Sequence, residues 1–303
     1  MRIRRALTVL LLLAAGGCAA SAPEEEPGGG LDITGGVTVD QALHDRLPQA
    51  VRARGSIRLV TDASYAPMEY FAADGRTIIG FSPDLATALG GVLGVRGELV
   101  AGEFNGALDE VAAGEYDGVL SSMTDTAERR AKADFVDYLS TGTSIVVQRG
   151  NPEKITSFED LCGQTVGTER GTLQEQMLQR LQPTCEDRPL VIDSEPTNAD
   201  ALLLLRTGRV SAVPIDFPPA AYLVSNERTG AFYQLASDTQ YEPGLFGIAV
   251  AKDNTALRDC LREALQRVID SGVYADLLSR WNLTSTAVTT ATINGAGNYT
   301  PVQ

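Results

Sequence analysis

From Ser56 onward the chain alternates short runs of β-branched and apolar residues with longer runs in which Leu and Ala recur at helical spacing. "SIRLVTD", "RGELVAG" and "DGVLSS" are separated by "SPDLATALGGVLG" and "NGALDEVAAGEYD". After "FVDYLSTGTSIVVQRG" a second series follows, with "FEDLCGQTVGTE", "TLQEQMLQRLQ", "RPLVIDS", "NADALLLLRTGR", "VSAVPID" and "PPAAYLVSN". Strands that alternate with helices lie parallel, with the helices packed on the sheet faces, so the fold class is α/β. A chain of 303 residues exceeds one ordinary core, and the two series are alike in style, which predicts two lobes. Extended segments near Tyr138 to Val147 and Tyr241 to Val250 carry the chain between the lobes twice, as a two-segment hinge.

Local signals add detail. "YFAADGRTIIG" reads as a hairpin-like excursion about Asp74-Gly75. Ser82 is the expected N-cap of the following helix, with Pro83 at its first position, and Asn105 caps the next. "NTALRDCLREALQRVIDSGVYADLLSRWNL" is a helical end. The tail "TSTAVTTATINGAGNYTPVQ" lacks a helical period and is expected to be extended or loosely attached.

The first seventeen residues read as a secretory signal: Arg2, Arg4 and Arg5 precede the apolar "ALTVLLLLAA", which is too short to span a bilayer comfortably. "AGGC" places small residues before Cys18, similar to the lipobox of bacterial lipoproteins, in which that cysteine is lipidated and becomes the new N-terminus; Ala15 stands where Leu is usual. Losing the three leader arginines takes the formal charge from −14 to −17, which argues against nucleic acid and anionic membrane surfaces as partners. "AASAPEEEPGGGLDITGG" is a flexible polar tether. In an exported chain Cys162 and Cys185, which flank a strand end, a turn and one helix, are expected to pair as a disulfide. Cys260, on an amphipathic helix, is expected to be a buried thiol.

The stretch "SSMTDTAERR" concentrates polar chemistry at a strand end. In open α/β sheets ligands sit beyond the carboxyl ends of strands, and Ser121 and Ser122 fall at such a point. A helix begins near Asp125 or Thr126, the first with Glu128 at capping-box spacing. Side chains lean toward a helix N-terminus, so Arg129 swings back over Ser122 and Thr124 to make an anion-binding fork, while Arg130 is expected to face solvent. Asp216 ends "VSAVPID" before a Pro-Pro helix start, and Asp62 ends "SIRLVTD" with Tyr65 three residues on. One cation and two acids at strand ends suit a zwitterion.

Six stretches, in order, resemble the bacterial extracellular solute-binding proteins of family 3, the binding components of ABC importers for polar amino acids: "LVTDASYAPMEYFAADGRTIIGFSPDLATAL", "FNGALDEVAAGEYDGVLSSMTDTAERR", "FVDYLSTG", "VGTERGTLQEQ", "VPIDFPPAAYLV" and "LFGIAVAKDNTALRDCLREAL". The resemblance runs from about Gly55 to Leu283. It implies a periplasmic-binding-protein-like (type II) Venus flytrap. The expected organisation is a signal peptide (1–17), a lipid-anchored tether (18–36), an N-terminal helical extension (37–55), lobe 1 (56–143 and 246–283), lobe 2 (144–245) and a C-terminal tail (284–303).

By position, the resemblance implies that Arg129 binds an α-carboxylate, with Ser122, Thr124 and Thr172 completing its shell. Asp216 accepts the α-ammonium together with the carbonyl of Ser121 or Ser122. Tyr65 and Phe104 sandwich the side chain, and Asp62, Glu169 and Gln174 reach toward its distal end. The doubled serine and the acids Asp62 and Glu169 favour a basic amino acid, with glutamine or another polar amino acid as the alternative. The partners implied are a free L-amino acid and ABC permease and ATPase subunits, with the protein a monomer outside the cytoplasm, and neither a cofactor nor a metal is required. Two other classes stay open: an enzyme resembling cyclohexadienyl dehydratase, and a ligand-sensing receptor subunit. No G-x-S-x-G, H-E-x-x-H or Walker pattern occurs, and the single histidine, His44, lies in the N-terminal segment.

Overall fold

The computed structural model describes residues 36–298. The signal segment, Cys18 and the tether up to residue 35 lie outside the described residues, as do residues 299–303. Among the described residues there are thirteen strands: β1 (Ser56–Thr61), β2 (Ser64–Tyr65), β3 (Glu69–Phe71), β4 (Ile78–Ile79), β5 (Arg96–Ala101), β6 (Gly118–Val119), β7 (Ala133–Gln148), β8 (Thr165–Glu169), β9 (Val191–Glu195), β10 (Ala212–Asp216), β11 (Tyr233–Leu235), β12 (Tyr241–Ala251) and β13 (Thr292–Ile293).

The main sheet runs β5-β1-β6-β12-β7-β10-β8-β9, with β11 and β13 also paired to β7. β1 pairs in parallel with β5 and β6, and β8 in parallel with β9 and β10, each pair joined through helical connections. β7 and β12 run antiparallel to each other. The 16 residues of β7 are shared. Its first part pairs with β12 and, at Val136–Asp137, with β13, and its second part pairs with β10 and β11. This long strand and β12 supply the two chain crossings of the two-lobed fold. β2, β3 and β4 form a separate antiparallel sheet.

The cores follow the same division. One cluster gathers β1 and the helices Gln41–Arg46, Gln49–Arg54, Phe81–Leu93, Thr255–Asp270 and Val273–Arg280. On Thr255–Asp270 the residues Leu257, Cys260, Leu261, Ala264, Leu265 and Val268 are all buried, the i, i+3, i+4 stripe of an amphipathic helix. Cys260 is a free buried thiol whose Sγ lies 3.7 Å from the Leu43 carbonyl. Two further clusters hold residues between Ile145 and Tyr241, with Tyr65 packed against one of them. Cys162 and Cys185 are joined as a disulfide within the first of these. No helix among the described residues is long and apolar enough to cross a membrane.

Three local expectations are corrected. The helix expected to be capped by Ser82 starts at Phe81 with Gly80 as N-cap. The amides of Phe81 and Ser82 are taken up by the carbonyls of Pro67 and Met68, which frees Ser82 from capping. Gly80 has φ 133°, and a Cβ there would lie 2.2 Å from the Met68 carbonyl oxygen, so no other residue fits. Gly106, not Asn105, caps Ala107–Ala112. Arg130 does not face solvent: it is half-buried, with Nε 3.3 Å from Asp125 and Nη1 donating to the Asn294 carbonyl. Of the two expectations for the tail, the extended one holds, because Thr292–Ile293 adds β13 to the sheet and Asn294 continues the attachment. Of the two candidate caps near Arg129, Thr126 is the one used, its hydroxyl accepting from the Arg129 amide at 3.2 Å.

The disulfide closes a segment with a sequence separation of 23, and its loss frees that loop in the unfolded chain. A Cys162→Ala/Cys185→Ala variant is expected to lose about 3 kcal/mol of unfolding free energy in urea titrations. An unchanged midpoint would remove the disulfide from the account of stability.

Candidate ligand site between the lobes

Fourteen residues line a cavity between the two lobes. All eleven residues singled out from the sequence are among them: Asp62, Tyr65, Phe104, Ser121, Ser122, Thr124, Arg129, Glu169, Thr172, Gln174 and Asp216. Ser64, Glu69 and Leu173 complete the lining.

Strand ends deliver most of them. Asp62 follows β1, and its amide donates to Ser121 Oγ at 2.9 Å, tying two adjacent strand ends together. Ser122 has φ 46°, a left-handed conformation that costs a non-glycine residue on the order of 1–2 kcal/mol and turns the chain sharply after β6. Thr124 forms an isolated bridge with Phe246 of β12. Glu169 closes β8, and Thr172 caps the helix Leu173–Leu181, its hydroxyl accepting from the Glu175 amide at 3.1 Å and donating to the Glu169 carbonyl at 2.7 Å. Asp216 closes β10, where Pro218 and Pro219 in the first turn of the next helix forbid further strand pairing.

Arg129 is buried, and its guanidinium lies 5.3 Å from the Phe104 ring centre. Nη1 donates to the Thr124 carbonyl at 2.8 Å and Nη2 to the Gly171 carbonyl at 3.0 Å. A guanidinium has five N–H donors, so the fork keeps donors for an anion. Two more bonds join the same halves of the chain: the Tyr65 hydroxyl donates to Asp216 Oδ2 at 2.7 Å, and Gln176 Nε2 to Glu128 at 3.1 Å. The Asp216 amide returns a bond to Tyr65 Oη at 3.0 Å. Gln174 Nε2 donates to Thr143 Oγ1 at 3.0 Å, next to the strand crossing.

The electrostatics are one-sided. Four carboxyls, Asp62, Glu69, Glu169 and Asp216, share the cavity with one guanidinium. Burial pushes Asp216 up to about 6, with Tyr65, Gln174 and Arg129 opposing it. Burial takes Glu69 up to about 8 against the pull of Ser82, and the other acids add to the rise. Glu169 stands well above the usual carboxylate range, from burial first and then from Asp62, Glu69 and Asp216. Asp62 is raised by burial. Arg129 comes down to about 10, again through burial, and stays cationic at neutral pH.

Of the three lining residues that the sequence reading missed, Glu69 is the ionisable one. It is fully buried, Ser82 Oγ donates to it, and Oε1 has no donor. A signal was available, because in the β2–β3 hairpin Glu69 stands directly opposite Tyr65, so both side chains face the same side. Among the described residues no group of His, Cys, Asp and Glu has the arrangement of a metal site.

The family model for bacterial extracellular solute-binding proteins, family 3, matches residues 57–284. The chain belongs to that family. Among its relatives is the arginine-binding protein ArgT of Corynebacterium glutamicum, 30% identical over 82% of this chain and 81% of that protein. The arginine-binding extracellular protein ArtP of Bacillus subtilis is 31% identical over 73% and 84%. The L-cystine-binding protein TcyJ of Escherichia coli K12 is 26% identical over 82% and 91%. Among solved structures, an ancestral arginine-binding protein bound to arginine superposes with a TM-score of 0.70 at 31% identity, covering 75% of this chain and 98% of that one. One bound to glutamine gives 0.69 at 31%, covering 76% and 99%. These likenesses bear out the type II fold. In this family-3 protein the resemblance read from six stretches and the matched span agree to within two residues at either end.

The raised carboxyls link stability to pH. The folded protein holds protons on Glu69 and Asp216 that the unfolded chain releases, so stability falls as pH rises through about 6 for Asp216 and about 8 for Glu69. Thermal unfolding of the ligand-free protein is expected to show a midpoint that declines across this interval. A Glu69→Gln variant is expected to flatten the upper part of the decline, and an unaltered slope in that variant would show that Glu69 titrates normally.

Proposed function

We propose that this family-3 protein is the substrate-binding component of an ABC importer and closes around an L-amino acid with a cationic side chain. The observation that carries the reading is the imbalance within the cavity, one guanidinium against four carboxyls. In this reading Arg129 holds the α-carboxylate with the hydroxyls of Ser122, Thr124 and Thr172 around it. Asp216 and a carbonyl of Ser121 or Ser122 hold the α-ammonium. Tyr65 and Phe104 flank the aliphatic stem, and Asp62, Glu69 and Glu169 meet the distal cation with Gln174 beside them. A ligand cation replaces protons on acids that repel one another, so a basic side chain gains what a neutral one does not.

Residues 56–143 and 246–283 would form one lobe and 144–245 the other, with β7 and β12 as the hinge. Segregation of the buried clusters supports this division. Ligand contacts to both lobes favour closure, and the permease recognises the closed form. Residues 1–17 would direct export and Cys18 would carry the lipid anchor, with 18–36 as its leash, on the outer face of the cytoplasmic membrane or in the periplasm; the protein acts as a monomer. A binding rather than a catalytic role is favoured because His44 bonds the Leu93 carbonyl through Nδ1 at 2.9 Å in the N-terminal extension, away from the cavity. Glutamine is the second reading, supported by the ancestral relative solved with it.

A thermal-shift panel over the twenty amino acids is expected to rank arginine and lysine above glutamine. A response to glutamine alone would overturn the basic ligand while leaving the fold untouched. Arg129→Ala removes two charge-assisted hydrogen bonds and is expected to weaken the best ligand about a hundredfold or more in calorimetric titration. Unchanged affinity would remove Arg129 from the site.

A further inference from the structure

Residues 284–298 lie beyond nearly all of the family-matched span, yet they are built into the sheet next to the segment that carries Arg129. Thr292 and Ile293 pair with Asp137 and Val136 on the side of β7 opposite β12. Asn294 then takes φ 56° and brackets Phe135: its amide donates to the Phe135 carbonyl and its Oδ1 accepts from the Phe135 amide, both at 2.9 Å. Its Nδ2 donates to Asp134 Oδ1 at 3.0 Å. Gly295 has no room for a side chain, since a Cβ would lie 2.3 Å from Thr292 Oγ1 and 2.9 Å from Asp137 Oδ2.

Covering the edge of β7 needs only the two-residue pairing. Two further contacts leave β7 and reach both ends of the Arg129 segment. The Ala296 amide donates to Asp125 Oδ2 at 3.3 Å, and Arg130 Nη1 donates to the Asn294 carbonyl at 3.2 Å. Asp125 also pairs with Arg130 at 3.3 Å. On the opposite side the same segment is held by β12, through the Asp125 amide on the Leu245 carbonyl at 2.8 Å and the Gly247 amide on the Met123 carbonyl at 3.0 Å. Arg129 thus projects from a short segment gripped by β12 on one side and the C-terminal residues on the other.

We propose that residues 284–298 form a strap that positions Arg129, acting through Asn294 and Ala296 on the Asp125–Arg130 segment. The role rests on the reading above in which Arg129 holds the ligand carboxylate. Asp137 anchors the strap, accepting from Thr292 Oγ1 at 2.9 Å and the Gly295 amide at 2.7 Å. Its other oxygen is buried without a donor, and Asp125 Oδ1 faces Arg130 Nε at 3.3 Å. Burial pushes Asp137 up to about 7, and Asp125 is raised by burial as well. The neighbouring Asp134 is neutralised separately by Lys252 at 3.2 Å and Arg258 at 2.8 Å.

The test uses the full chain and two variants, Asn294→Ala and the milder Thr292→Val, which keeps the strand pairing and removes one donor to Asp137. Amide hydrogen exchange at Asp125 and Arg130 is read beside calorimetric titration with arginine and lysine. In Asn294→Ala both amides are expected to exchange faster, and both ligands to weaken by the same factor, about tenfold, because the strap acts on the end of the site common to all α-amino acids. Thr292→Val is expected to move both readouts in the same direction by less. A purely structural role would lower the unfolding temperature without a shared loss of affinity. Faster exchange with unchanged affinity, or unchanged exchange in both variants, would overturn the proposal. If the full chain binds neither amino acid, the ligand reading fails by itself; accelerated exchange in the variants still supports the strap's hold on the segment, and unaltered exchange overturns it.

Discussion

The constraint on which the rest of the structure depends is the burial of one guanidinium among four carboxyls. Taking a charge out of water costs several kcal/mol unless a partner compensates, and one cation cannot compensate four acids. The cavity resolves this by protonation: burial and mutual repulsion lift Glu69, Glu169 and Asp216 far enough that they hold protons where exposed acids would not. Arg129 remains charged because its carbonyl partners and the facing acids offset part of its desolvation.

The architecture makes such a cavity inexpensive to assemble. Asp62, Glu169, Asp216 and the serines stand where a strand hands over to a loop or helix, so the main sheet fixes their positions, while Glu69 is placed by the β2–β3 hairpin. β7 and β12 run through both halves of the sheet, which lets the two faces of the cavity approach or part while each lobe keeps its core. The strap adds stiffness at one point, behind the segment that holds the sole cavity cation among the lining residues.

Much of this was legible in the residue pattern. The parallel α/β series and the polar strand ends that carry Asp62, Tyr65, Ser121, Ser122, Thr124, Arg129 and Asp216 follow from where periodicity breaks and what stands at the break, whereas Phe104, Glu169, Thr172 and Gln174 were reached only through the family resemblance. Glu69 was hidden because a short hairpin carries little periodicity; only its register opposite Tyr65 brings it into the cavity. The tail's attachment was hidden for a related reason. "ATING" has no helical stripe, and its attachment comes from a two-residue strand and the left-handed Asn294, features too brief to leave a pattern. Arg130 looked like a surface residue because its partner Asn294 lies 164 positions away in the chain.

Proton linkage tests the central claim most directly. Calorimetric titration with L-arginine near neutral pH, repeated in buffers of differing ionisation enthalpy, counts the protons exchanged on binding. A cationic side chain arriving among protonated Glu69 and Glu169 displaces their protons, so net proton release is the predicted result, diminished in Glu69→Gln. Arginine binding with no proton exchange, or with proton uptake, would contradict the account.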